Sequence, residues 1–316
     1  MIAVPRAEKR RADAVDGILL LNKPSGMTSN RALQAVRRLL NAKKAGHTGS
    51  LDPAATGMLP LCFGEATKVC AYLLDADKSY RVTARIGVAT DTGDADGQQV
   101  GTAPVPEMSA DDWNVILQGF LGESDQVPPM YSALKKDGKR LYELARKGET
   151  VEREPRRIRI DEIRLLESAG SRLVFRVCCS KGTYVRTLVE DIAKRAGTLA
   201  HTARLHRESV GDFSSGDMVD LATIETLAAE GLEPLRERLL PPDAALEGMP
   251  SVTIDAETGE RFAGGQAIEV ADSAENGLAR VYSTGRRFLG VGEIAGNGRL
   301  APRRVFHTPG KNPVDI

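Results

Sequence analysis

Gly46-His47-Thr48-Gly49-Ser50-Leu51-Asp52-Pro53-Ala54-Ala55-Thr56-Gly57-Met58-Leu59-Pro60 contains three glycines and two prolines, and reads as a loop. Its glycines let the backbone turn sharply and approach a ligand closely. Pro53 holds Asp52 extended and so fixes where the carboxylate projects. The spacing should bring His47 near Asp52. Spacing alone favours a plainer alternative, in which Asp52 caps an ordinary Asp-Pro turn and His47 is a hydrogen-bonded loop residue.

Working outward, Gly17 to Leu21 is a short apolar run ended by the turn-forming Asn22-Lys23-Pro24-Ser25-Gly26, a strand and its turn. Thr28-Ser29-Asn30 offers helix caps, and Leu33, Val36, Leu39 and Leu40 then share one helical face between Arg31 and Lys43. Downstream, the pattern predicts helices over 65–74, 111–121, 188–196 and 223–239, and strands over 80–88, 157–167 and 172–179. Between them, Val127 to Ser132 is extended and runs into a basic stretch, which reads as a long arm. Past Pro241-Pro242-Asp243 the texture changes to short glycine-punctuated strands at 251–254, 278–282, 287–294 and 303–307, the spacing of a small β-barrel.

Composition is that of an ordinary globular protein, with 41% hydrophobic and 27% charged residues. No run of about 18 apolar residues suggests a membrane span. The charged N-terminus lacks the apolar core of a signal peptide, so the expectation is a cytoplasmic protein with a short tail. Cys62, Cys70, Cys178 and Cys179 form no C-x-x-C pair, and the histidines add no zinc-ligand spacing, so no metal site is expected.

The formal net charge is zero, yet the charges are segregated. Lys23 to His47 has six basic residues and no acid, and Tyr131 to Arg159 has ten against five acids. Arg280 to Lys311 has seven against Glu293 alone, while acids concentrate at Asp91 to Asp96 and Glu208 to Glu247. A polyanion binds such faces rather than averages, although most charge clusters are only solvated surface.

The Gly46–Pro60 block, preceded by Leu21-Asn22-Lys23-Pro24-Ser25-Gly26-Met27-Thr28-Ser29 and followed by Gly64-Glu65-Ala66-Thr67-Lys68, strongly resembles the TruB family of bacterial tRNA pseudouridine-55 synthases. Ser180 to Leu188 and Ala200 to Arg207 match further blocks in the same order, and Val127 to Lys135 extends the likeness into the arm. The resemblance covers roughly residues 17–215. Ser50 and Asn22 depart from commoner family choices without touching the chemistry.

The resemblance implies an α+β pseudouridine synthase fold with a mixed, largely antiparallel central sheet flanked by helices, and a small C-terminal PUA-like β-barrel. The implied division is a flexible tail at 1–15, a catalytic domain at 16–247 with a basic RNA-binding arm at about 124–152, and a PUA-like RNA-binding domain at 248–316. It makes Asp52 the catalytic carboxylate, with Arg186 pairing with it and lowering its pKa, and Tyr80 packing against the target base. His47, Tyr184 and Leu205 would shape the pocket for an extruded nucleotide, and Lys23-Pro24 would brace the loop. Lys135, Lys136 and Arg146 of the arm, with their basic neighbours, would grip the T-arm phosphates of tRNA. No cofactor and no protein partner are implied, and a monomer is expected. Two rival readings are a guide-RNA-dependent pseudouridine synthase, against which the long arm argues, and a tRNA-folding chaperone.

Overall fold

A computed structural model describes residues 13–136, 138–270, 276–296 and 298–307. In chain order its elements are β1 (Gly17–Lys23), α1 (Ser29–Leu39), β2 (Ala45–His47), β3 (Thr56–Phe63), a 3-10 turn at Gly64–Val69, α2 (Cys70–Asp75), β4 (Lys78–Ile86), β5 (Val88–Thr90), β6 (Gln99–Thr102), α3 (Ala110–Gln118) and β7 (Gly122–Gln126). There follow β8 (Lys135–Lys136), β9 (Lys139–Arg140), α4 (Leu141–Ala145), β10 (Arg156–Ala169), β11 (Arg172–Cys179), α5 (Val185–Arg195), β12 (Ala200–Val210), β13 (Val219–Asp220), α6 (Leu221–Glu230) and α7 (Leu232–Arg236). The C-terminal module holds β14 (Ser251–Ile254), α8 (Ala256–Ala263), β15 (Ile268–Glu269), β16 (Gly277–Ser283), β17 (Phe288–Ile294) and β18 (Arg299–Val305).

Among the described residues the central sheet runs β13-β1-β3-β12-β4-β11-β10-β7, with β2 joined to β3. The β1–β13 and β3–β12 pairs are parallel and the others antiparallel, the mixed and largely antiparallel sheet expected. Strand β4 alternates a buried face (Tyr80, Val82, Ala84, Ile86) with an outer face (Arg81, Thr83, Arg85), so one side packs and the other stays wet. The packed side meets α3 and α5 through Trp113, Leu117, Leu188, Val189 and Ile192.

Three sequence expectations are corrected. Gly46–Pro60 is not all loop: it begins in β2 and ends in β3, whose Gly57 to Phe63 is fully buried. Pro60 is tolerated there because β3 pairs with β12 only at Thr56–Gly57 and with β2 only from Leu61, so Pro60 falls between the two. The predicted helix 223–239 is two, α6 and α7, broken where Gly231 takes φ 145°. The third is the tail. Residues 1–12 of the expected tail lie outside the described residues, but Asp13 is bridged to Ala42 and Val15 is buried against Leu33 and Leu40 in one core cluster.

The C-terminal module is a five-stranded sheet, β14-β16-β17-β18-β15, closed on one side by α8. It shares a core with the larger domain, because Val291 and Phe306 pack in one cluster with Met58, Cys62 and Val69. Polar contacts lock the joint. Lys68 Nζ donates to the Val305 carbonyl (2.6 Å), the Glu65 carboxylate accepts from the His307 N–H (2.8 Å), and Tyr282 Oη donates to Asp243 (2.7 Å).

Candidate active site

The cleft follows from a strand that loses its neighbour. β12 meets β3 only at His206–Thr56 and Arg207–Gly57, and beyond that point the segment 48–55 swings away. The gap becomes a cavity of about 700 Å³ bounded by Asp52, Ala54, Thr56, Arg81, Thr83, Asp94, Asp96, Arg172, Arg186 and the run Thr202 to His206.

The segment carrying Asp52 is pinned from below by the Leu21–Ser29 turn. Ser29 Oγ donates to the Leu51 carbonyl (3.1 Å) and accepts the Leu51 N–H (2.8 Å), Gly26 N–H reaches the Pro53 carbonyl (2.9 Å), and Ser25 Oγ reaches Ala54 (3.0 Å). Lys23 has no exposed surface, and its Nζ donates to the carbonyls of Pro24 (2.8 Å), Met27 (2.7 Å) and Pro53 (3.2 Å). Burial lowers its pKa to about 8, still above neutrality, so the ammonium keeps three donors for three carbonyls.

A second buried cation closes the other end. Arg207 is 1% exposed, and it donates through Nε to the Met58 carbonyl (2.6 Å) and through Nη2 to Gly49 (3.0 Å). It therefore staples the residues on both flanks of Asp52. The backbones meet closely here: a Cβ on Gly57, at φ +100°, would lie 2.3 Å from the Arg207 carbonyl oxygen. Lys78 is the third buried cation, and its Nζ donates to the Leu73, Leu74 and Ala76 carbonyls at the C-terminus of α2.

Arg186 projects from the first turn of α5 into the cavity wall with 7% of its side chain exposed. Its Nε lies 3.0 Å from Asp52 Oδ2, Nη1 donates to the Thr92 carbonyl (2.7 Å) and Nη2 to Tyr131 (2.7 Å). Asp94 Oδ2 stands 3.5 Å from Nη1. The fork is fully engaged and rigid, the use for which a guanidinium suits better than an ammonium.

The expected Asp52–Arg186 pair thus exists and its attraction lowers the carboxyl pKa as expected, but other effects outweigh it. The Asp52 carboxyl is held above its ordinary value, because desolvation outweighs the attraction of Arg186, and Asp94 adds repulsion. The side chain is 42% exposed to the cleft, so it is desolvated by its loop yet open to a ligand.

The other expected residues scatter around this centre. Leu205 lines the cavity, paired with Val82. Tyr80 is 9% exposed and sits in the buried cluster with Leu51, Ala55 and Val185, under the Asp52 loop rather than in the cavity lining. Burial raises its phenol pKa, and the Arg207 charge opposes the rise. Tyr184 caps α5, and its backbone N–H and carbonyl exchange hydrogen bonds with the Gln126 amide (2.8 and 3.1 Å). Burial raises its phenol as well.

No hydrogen bond joins His47 to Asp52 among the described residues. His47 sits in β2 opposite Leu61, its pKa is lowered by burial and then by Arg207, and Nδ1 has no hydrogen-bond partner among the described residues. The arm forms the β8–β9 hairpin and α4, with Lys135, Lys136 and Arg146 exposed and away from the cavity lining. Lys136 Nζ donates to the Glu152 carbonyl (2.8 Å), and Arg146 lies 5.5 Å over the Tyr142 ring.

Sequence reasoning missed Asp94 and Asp96, which it counted among acids remote from the positive face, and also Arg81, Arg204 and Arg207. Arg204 and Arg207 stand inside a motif block already quoted, so position was available and role was not. The four cysteines are unpaired, and no group of His, Cys, Asp and Glu among the described residues could hold a metal ion. No helix among them is long and apolar enough to cross a membrane.

Three family models match the chain. The TruB family pseudouridylate synthase N-terminal domain covers residues 37–185, the tRNA pseudouridylate synthase B C-terminal domain 186–247, and the pseudouridine synthase II TruB C-terminal domain 250–306. The tRNA pseudouridine synthase B of Nitrosococcus oceani is 48% identical over 92% of this chain and 95% of its own length. That of Dechloromonas aromatica is 51% identical over 94% and 97%. Among solved structures, a Cbf5-Nop10-Gar1 complex is similar with a TM-score of 0.72 and 24% identity, covering 92% of this chain and 85% of the matched one, a likeness of fold. Motif order, cleft geometry and full-length similarity converge: the chain belongs to the TruB family of pseudouridine synthases.

Proposed function

We propose that this protein converts a uridine of tRNA to pseudouridine, at position 55 of the T-loop, with Asp52 as the nucleophile. The observation that carries the proposal is a cleft-facing carboxylate 3.0 Å from a buried arginine whose three guanidinium nitrogens are all engaged, on a loop pinned at both ends. The tRNA substrate rests on the relatives of about half-identical sequence, all called tRNA pseudouridine synthase B.

The reaction breaks N1–C1′, turns the uracil, forms C5–C1′ and moves the C5 proton to N1, with no change of redox state. The carboxylate acts by attack at C1′, by addition to C6, or by helping a glycal to form; each route requires it ionised. Arg186 serves that need by holding Asp52 charged against desolvation. Tyr80 beneath the loop would pack against the target base, Leu205 would exclude water, and His47 and Tyr184 would shape the pocket for the extruded nucleotide. The target base must leave its stack to reach Asp52. Lys135, Lys136 and Arg146 would grip the T-arm phosphates from the arm at about 124–152. The division into a catalytic domain at 16–247 and a PUA-like domain at 248–316 belongs to the same reading. So does a cytoplasmic monomer that needs no cofactor and no protein partner.

Purified protein and an unmodified tRNA transcript, without metal or nucleotide, test the proposal by chemical mapping of pseudouridine. The expected result is modification of the T-loop uridine by wild type and none by Asp52→Asn, with tRNA binding retained. Modification by both proteins would remove Asp52 from its role. Binding without modification by either would favour a guided enzyme or a chaperone.

A further inference from the structure

The cavity is electrostatically two-sided. Its loop-borne wall carries Asp52, Asp94 and Asp96, while its opposite rim is built from the outer face of β4 and β12, with Arg81, Arg204, Thr83 and His206. The register fixes this face: Arg204 stands opposite Thr83, and His206 opposite Arg81. Arg81 and Arg204 are therefore diagonal neighbours on one face, roughly 7–8 Å apart by strand geometry. His206 is held in place by a 2.8 Å hydrogen bond between Nδ1 and the Thr56 hydroxyl.

The arginines of this face are not treated alike. Arg172 pairs with Glu167, and Arg176 with Glu208 (3.0 Å). Arg81 and Arg204 are exposed, border the cavity, and have no ion pair among the described residues. Arg81 also lies directly opposite Arg176, whose own charge is already taken up by Glu208. Two guanidinium groups left without a carboxylate at a cavity mouth form a ready anion site.

We propose that Arg81 and Arg204 bind the RNA phosphates flanking the extruded nucleotide, and that the polarity of the cavity orients it, with the uncharged base toward Asp52 and the backbone toward β4 and β12. This deepens the proposed function and rests on it. On the wall of Asp52, Asp94 and Asp96 one guanidinium, Arg186, offsets three carboxylates and leaves it net negative, while Arg81 and Arg204 stand without ion pairs on the opposite rim, so a single orientation suits the phosphates.

The test measures equilibrium binding of an unmodified tRNA transcript against salt concentration, in an Asp52→Asn background so that no turnover intervenes. Arg81→Gln, Arg204→Gln, the double variant, Arg81→Lys and a control, Arg238→Gln, at an exposed position in the acidic stretch Glu208–Glu247, are compared. Arg81→Gln and Arg204→Gln should each lower the slope of log K against log salt by about 0.7, the value per single-strand phosphate, and the double variant by about twice that. Arg81→Lys should keep the slope, Arg238→Gln should leave it unchanged, and Arg81→Gln should melt no lower than its parent. Unchanged slopes in Arg81→Gln and Arg204→Gln, or equal weakening at every salt concentration, would overturn the site. If the Asp52-intact protein modifies tRNA while the slopes stay fixed, the phosphate site falls and the proposed function stands. If it modifies nothing while the slopes shift, the reverse holds.

Discussion

At the scale of single residues, the site is governed by how few charges are free to move. All three guanidinium nitrogens of Arg186 are engaged, so its attraction for Asp52 is a fixed field, and the carboxyl lies above its ordinary value because desolvation, helped by Asp94, is larger. The pH consequence has a definite sign. The active form is ionised, so single-turnover rate falls as pH drops through this raised pKa. Replacing Arg186 by Gln removes the opposing attraction, and the acid limb should move to higher pH, read from rate profiles over about pH 4 to 8. A limb left in place would detach Arg186 from the ionisation of Asp52. Arg207 predicts a different readout. Its replacement by Met leaves the Met58 and Gly49 carbonyls without their donor, at a cost of about 1–3 kcal/mol for each buried group. Urea denaturation should show that loss as a lower midpoint, with the turnover rate reduced because the Asp52 loop is no longer stapled.

At the scale of elements, β12 decides the architecture, and it was the strand least visible in the sequence. Its Ala-His-Thr-Ala-Arg-Leu-His-Arg start has no apolar run, because one side of it faces the cavity and the other packs, and two register shifts interrupt the alternation. β3 was hidden for the opposite reason: its glycine and proline signal a turn, and only the scarcity of β12 pairing lets them sit in a strand. By contrast β1, α1, β4 and β11 follow their apolar patterns, and α5 starts three residues before its expected start because Val185 and Arg186 already belong to its first turn. Asp52 was legible only through its motif; spacing alone favoured an ordinary turn, and no hydrogen bond joins His47 to Asp52 among the described residues. Gly57 tests the element-level account. Gly57→Ala sets a methyl 2.3 Å from the Arg207 carbonyl at a φ that side chains rarely adopt. Thermal unfolding should show severe destabilisation, by about 3 kcal/mol or more, whereas Gly182→Ala, with open space around its Cβ, should pay only for its positive φ.

At the scale of the whole molecule, the C-terminal module behaves as part of the body. Phe306 is 8% exposed within the cluster shared with Met58, Cys62 and Val69. Phe306→Ala should cost about 3–5 kcal/mol and split a single calorimetric transition into two. One transition with an unchanged midpoint would mean that the joint contributes little. A welded joint also says who must deform when the complex forms. An enzyme whose halves cannot hinge apart offers its guest a fixed mould, so the work of prising a nucleotide from its stack falls on the nucleic acid. Transcripts with a loosened loop should then react faster than tightly folded ones, whatever their sequence.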